Sequence, residues 1–126
     1  MIKGIKNDRL DEKLMWELLP IEPIEKIVEI LTYGALKYAP NNWKDVPNKA
    51  PYLDACERHL LAYLGGEEKD KETGESHLAS LMCNAMFLIH DRDEKKGIPF
   101  DEYLENLTTY DDYVKNLDIH KFDKTR

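Results

Sequence analysis

Apolar residues return at helical spacing along most of the chain, and polar breaks divide them into runs. In the first run Ile24, Ile27, Val28, Leu31 and Ala35 recur every three or four positions. That spacing predicts a helix from Pro23 to about Tyr38 with these residues on its buried face. Pro23 suits a first helical turn, and Glu22 and Glu25 stand where the positive end of the helix dipole favours acids. Ala39-Pro40-Asn41-Asn42 then stops the helix. A second run, Leu53, Cys56, Leu60, Leu61 and Leu64, predicts a helix that starts near Pro51 and ends at Gly65-Gly66. A third, Leu78, Leu81, Met82, Ala85, Met86 and Ile89, predicts a helix capped by Thr73 or Ser76 with that face buried. It fades through Asp91 to Lys96 and stops at Gly97-Ile98-Pro99. A fourth helix is predicted over Phe100 to Leu107, and one more short helix in the closing segment TTYDDYVKNLDIHKFDKTR. No run alternates as a strand would. The expected fold is all-α, a compact bundle of three to four main helices. So few helices leave a broad apolar face, so the bundle is expected to be completed as a homodimer or larger homo-oligomer, with the site near an interface.

A length of 126 residues predicts one domain, with an arm over 1–20, a core over 21–97 and a helical extension over 98–126. Apolar residues at 42% and charged residues at 34% are an ordinary globular balance. The net charge of −7 changes the picture more, because it argues against a nucleic-acid partner, whose phosphates want a basic face. A small anionic ligand needs only a few local cations and stays open. The opening MIKGIKNDRL lacks the apolar run of a signal peptide, and no stretch approaches the roughly 20 apolar residues of a membrane span. A soluble, cytoplasmic protein without a membrane partner is therefore expected. Cys56 and Cys83 lie inside apolar helical stretches, which reads as two buried reduced thiols, with a disulfide or a catalytic thiol as the other reading.

Polar residues inside the helical pattern are the candidates for chemistry. Glu22, Glu25 and Glu29 share one side of the first helix, which fits either a solvated acidic face or a divalent cation. Gly34 within that helix costs about 1 kcal/mol relative to alanine, which close helix packing would explain. Lys37, Tyr38, Asn42 and Trp43 supply a cation, hydrogen-bonding groups and aromatic faces suited to a nucleotide. The other reading has Trp43 anchoring its loop to the core. Asp54 and Arg58 are an i,i+4 ion pair, and His59 beside Arg58 reads as a boundary histidine or a ligand. His77, Ser80, Asn84 and Asp91 make a polar stripe that either meets a partner helix or lines a cleft. Glu67, Glu68, Asp70, Glu72 and Glu75 crowd five carboxylates into the loop before it, which suits Mg²⁺ or Mn²⁺ or is a solvated charge run. His90-Asp91 resembles the metal-binding dipeptide of HD phosphohydrolases without its spaced partners. No Walker loop, no G-x-G-x-x-G, no Cys pair at zinc spacing and no G-x-S-x-G occurs.

These elements occur in a recognisable order: G-A-x-K-Y with a nearby N-W, D-A-x-x-R-H-L, G-E-x-x-D-x-E-[ST]-G-x-x-H-L, and a later Asn. From about Leu18 to Lys96 the chain resembles the dATP/dGTP diphosphohydrolase-like family common in phage genomes, which is similar to the all-α MazG nucleotide pyrophosphohydrolases. The resemblance implies a MazG-like fold, a phage-encoded protein of the bacterial cytoplasm, and metal-dependent cleavage of a (deoxy)nucleoside triphosphate to monophosphate and pyrophosphate, with purine deoxynucleotides favoured. On that resemblance Lys37, Tyr38, Asn42, Trp43, Arg58, His59 and Asn84 are expected to bind the nucleotide. Glu29, Asp54, Glu67 and Asp70 are expected to hold Mg²⁺ or Mn²⁺, and Glu67, Asp70, His77 and Arg58 to serve the reaction. Two positions depart from the pattern. Ser80 stands where family members often carry a second histidine, and Glu25-x-x-x-Glu29 only approximates the acidic signature of MazG proteins. The departure at Ser80 motivates a second reading, a protein of the same fold that binds a nucleotide or nucleotide signal without cleaving it.

Overall fold

The computed structural model describes the backbone of residues 13–115 and side chains as far as 108. Helix α1 spans Ile21–Lys37 and begins two residues earlier than its apolar spacing predicts, with Pro20 in the N-cap position. Pro23 becomes the third helical residue, where a backbone N–H has no acceptor within the helix and its loss costs nothing. The Tyr38 N–H donates to the Gly34 carbonyl at 2.9 Å and closes the last turn. Asn41 then adopts a left-handed conformation, φ 62°, a region that asparagine tolerates better than most residues, and a short 3-10 turn follows over Asn42–Asp45. Helix α2 spans Ala50–Leu64, with Pro51 in its first turn and the Asn48 side chain accepting from the Ala50 N–H at 2.8 Å. Gly65 ends it. Helix α3 spans His77–Glu94, and of the two predicted caps Ser76 serves, its hydroxyl oxygen accepting from the Leu78 N–H at 3.1 Å.

Helix α4 spans Phe100–Lys115 and runs well past Leu107, so the first part of the separate short helix expected at the end of the chain is a continuation of α4. The remainder of that expectation, and most of the N-terminal arm, lie outside the described residues. Among the described residues the architecture is all-α, and the one β-type pairing is an isolated bridge between Lys69 and Ser76. No helix among them is long and apolar enough to cross a membrane.

Helix α3 is the centre, packed against both α1 and α2, while α4 packs on α2. Ile27, Cys83 and Phe87 form one buried cluster, joined by Ile24, Ile30, Leu31, Trp43 and Tyr52. Ala50, Tyr103 and Leu107 form the second, joined by Leu53 and Ile98. Both cysteines are free thiols, Cys83 buried and Cys56 partly buried, and burial pushes the Cys83 thiol up to about 11.

The predicted inward face of α3 is corrected by the structure. Met82 is 46% exposed and Ile89 64%, and Leu78 and Met86 are exposed as well, whereas His77, Ala79, Ser80, Cys83, Phe87 and Asp91 are buried. The helix turns its polar stripe inward because the stripe finds partners there, and a hydrogen-bonded polar group is far cheaper to bury than an unpaired one. Asp91 accepts from the Tyr103 hydroxyl at 2.8 Å and pairs with the Lys95 ammonium at 3.0 Å, which fastens α3 to α4. Val28 of α1, predicted inside, is exposed too, and so are Leu60, Leu61 and Leu64 of α2. Gly34 offers a further correction. A Cβ placed there meets nothing within 4 Å, so no close helix contact explains the glycine.

Candidate functional site

A cavity of about 700 Å³ opens between α1, the 3-10 turn, α2, α3 and the acidic loop. Its volume falls in the range of small-molecule and cofactor pockets. Each of the seven residues expected to bind a nucleotide lines it: Lys37, Tyr38, Asn42, Trp43, Arg58, His59 and Asn84. They come from four separate segments, and no one of those segments makes a site alone. Gly34 lines the cavity as well, so its missing side chain leaves ligand space rather than helix contact.

The aromatic residues divide their work. Trp43 stacks on Phe87 with ring centroids 4.4 Å apart and meets the His90 ring edge-on at 5.0 Å. It anchors the 3-10 turn to the core, as the second reading of that residue had it, while still forming part of the wall. His90 is thereby committed to Trp43 and to Glu94 at 3.7 Å, and the adjacent Asp91 to Tyr103, so His90-Asp91 is not a joint ligand pair. Tyr38 is 66% exposed, and the Lys37 ammonium lies 5.3 Å from its ring centroid.

One cation is held by the acidic loop. Lys37 donates to Glu72 Oε2 at 2.5 Å, and the Tyr33 hydroxyl donates to the same oxygen at 2.8 Å. The Glu72 carboxylate holds Lys37 well above the usual lysine range, and these two donors hold Glu72 below the usual carboxylate range. Tyr33 is the residue that sequence reasoning missed here; its position four residues before Lys37, on the same face of α1, was the available signal. Arg58 reaches the cavity from α2 while pairing with Asp54 at 3.2 Å.

Behind the wall lies a chain of three side chains. His77, the first residue of α3 and only 4% exposed, places Nε2 at 2.6 Å from Glu67 Oε1 and Nδ1 at 2.8 Å from Nδ1 of His59. His59 lines the cavity, and neither His77 nor Glu67 does. Burial lowers the His59 pKa, the nearby Asp70 carboxylate opposes that, and His77 and Arg58 add to the lowering.

The four carboxylates expected to hold a metal stand in separate places. Glu67 is engaged by His77, and Asp54 by Arg58. Glu29 meets Glu75 carboxyl to carboxyl, a hydrogen bond that raises Glu29 and lowers Glu75, with Lys26 at 3.7 Å from Glu75. Asp70 alone of the four lines the cavity, its Oδ2 accepting from Thr73 at 3.4 Å. Among the described residues no three His, Cys, Asp or Glu side chains converge as a metal-binding group. The donor set fits a cation that arrives already bound by phosphate oxygens, as Mg²⁺ commonly is, better than one caged by protein alone. Ser80, where a second histidine was looked for, is 3% exposed and forms part of the cavity wall.

The family model described as dATP/dGTP diphosphohydrolase, N-terminal, matches residues 3–100. A protein of Salmonella phage PMBT28 named dATP/dGTP diphosphohydrolase is 32% identical over 85 residues, which is 68% of this chain and 28% of the phage protein. The chain thus spans under a third of that relative's length. No solved structure matches it.

Proposed function

This chain belongs to the dATP/dGTP diphosphohydrolase family, and from that premise we propose that its cavity binds a deoxynucleoside triphosphate and hydrolyses it to monophosphate and pyrophosphate. The observation that carries the reading is the convergence of Lys37, Arg58, Tyr38, Trp43, Asn42, Asn84 and His59 on one cavity of nucleotide size. Lys37 and Arg58 neutralise phosphate charge, which matters most as charge builds on the pyrophosphate leaving group. Tyr38 offers the open ring face for the base. The name of the phage relative supports purine deoxynucleotides as the preferred substrates. Asp70, which lines the cavity, is the carboxylate that would meet Mg²⁺ or Mn²⁺ carried by the nucleotide, and the cation would supply Lewis-acid polarisation of the phosphates. That arrangement also lets a chain of net charge −7 accept an anion. The exposed apolar faces of α2 and α3 support assembly into a homodimer or larger oligomer.

The test is incubation with each dNTP and NTP plus Mg²⁺ or Mn²⁺, resolving monophosphate and pyrophosphate. The expected result is turnover of dATP and dGTP, lost when the cation is chelated. Asp70→Asn is expected to lose turnover with helix content unchanged. Recovery of every nucleotide intact after long incubation would overturn the reading.

A further inference from the structure

The hydrogen-bond chain Glu67–His77–His59 has a direction, and the direction assigns a role. A carboxylate only accepts, so Glu67 Oε1 at 2.6 Å requires a proton on His77 Nε2. With a single ring proton, His77 presents a bare Nδ1. In that state the His59 Nδ1 that lies 2.8 Å away carries the hydrogen between them, because two bare nitrogens at that distance repel. His59 is left with a bare Nε2, which has no hydrogen-bond partner among the described residues, on a ring that lines the cavity. The tautomer is thus set two residues back from the ligand, by a histidine that never reaches it.

We propose that His59 is the general base of the triphosphate site, with His77 and Glu67 as positioning residues that fix its tautomer and receive the charge it takes up. The proposal rests on the cavity being the triphosphate site. In the step, His59 Nε2 removes a proton from a water molecule in the cavity. The water oxygen forms a bond to the α-phosphorus, and the bond from that phosphorus to the bridging oxygen breaks, its electron pair leaving with pyrophosphate. The His59 Nδ1 proton passes to His77 Nδ1. The positive charge comes to rest on His77 beside the Glu67 carboxylate, and His59 keeps the proton gained at Nε2. No proton or electron is unaccounted for. A base oriented by a second group, itself held by a third, is the general logic of hydrolytic triads. It is built here from two helices and the loop between them. The charges facing His59 are Arg58 beside it on α2, Asp70 on the acidic loop and His77 on α3, and burial together with Arg58 and His77 favours the neutral, competent ring.

The experiment pairs spectroscopy with kinetics on the full chain. Nitrogen-15 NMR of the nucleotide-free protein at neutral pH is expected to show His59 protonated at Nδ1 and bare at Nε2. His59→Gln is expected to lower kcat by about 100-fold or more, the scale of a lost general base, with KM changed by less than about threefold. Glu67→Gln keeps an oxygen acceptor for His77, so the His59 tautomer should persist while kcat falls on the order of tenfold, the lower end for an outer-shell partner. A His59 that carries its proton at Nε2, or a His59→Gln variant with near wild-type kcat, overturns the proposal. Both readouts spare the buried His77, so the outcome does not depend on a variant that fails to fold. Turnover by the wild type with the wrong tautomer overturns this inference alone, whereas absence of any turnover overturns the reading of the site with it.

Discussion

Gly34 and Lys37 lie about one turn apart on α1 and line the same cavity, so substitutions there separate stability from binding. Gly34→Ala should raise stability by as much as about 1 kcal/mol, the helical cost of glycine. It should also raise KM, because the added methyl enters open space that a ligand would use. Thermal melting and initial rates measure the two effects side by side. Lys37 is held by Glu72, which a phosphate of the proposed substrate would displace or share. Glu72→Gln should lower KM by up to about fivefold, since a largely exposed ion pair is worth no more than about 1 kcal/mol. Cys83 gives a pH dependence. Its folded pKa is raised to about 11, so the stability it contributes is complete below the ordinary thiol range and is lost as pH climbs toward that value. Urea midpoints should therefore fall between about pH 9 and 11, and Cys83 should resist alkylation in the folded protein at neutral pH.

At the scale of elements, the turn that bears Trp43 stays in place because Phe87 lies under it. Phe87→Ala should destabilise by about 3 kcal/mol or more and change Trp43 fluorescence before global unfolding. Tyr103→Phe takes a donor from the buried Asp91 and should cost about 1–3 kcal/mol, measured by urea denaturation. Several starts and stops of the helices were legible in the chain because they are local chemistry: Ser76 as a cap, Gly65 as an end, Pro51 in a first turn. Which way α3 faces was not. Leu78, Met82 and Ile89 make its most apolar stripe, yet His77 and Asp91 find Glu67, His59 and Tyr103 across the interior, and periodicity does not register such distant partners. The length of α4 was hidden for a similar reason, because TTYDDY reads as a polar ending when only short-range pattern is weighed.

At the scale of the whole molecule, the outward stripe of α3 and Leu60, Leu61 and Leu64 of α2 leave several large apolar side chains exposed. On the proposed assembly, Leu61→Asp combined with Ile89→Asp should yield monomer in light scattering coupled to size-exclusion chromatography, with helix content retained. The seven nucleotide-binding candidates were named on the family resemblance, and folding brings all seven to one cavity. The pairings of the acids were only partly legible. Asp54 with Arg58 was readable as an i,i+4 pair, whereas Glu67 and Glu29 settle on neighbours brought close by folding, and composition alone does not choose between a histidine and another carboxylate.

The acidic loop between α2 and α3 is fastened at both ends, by Glu67 N–H to the Ala62 carbonyl and His77 N–H to the Glu68 carbonyl, and folded on itself by Asp70 N–H to the Glu75 carbonyl. Gly66 and Gly74 turn it with positive φ. Its spacing is a ruler that delivers Glu67 to His77, Asp70 to the cavity and Glu72 to Lys37 together. In the language of heredity, single-letter changes at the exposed Lys71 should pass unnoticed, while loss or gain of one in-frame codon among these positions displaces all three acids at once. Such alleles should behave as complete knockouts, and natural length variation should accumulate elsewhere in the gene.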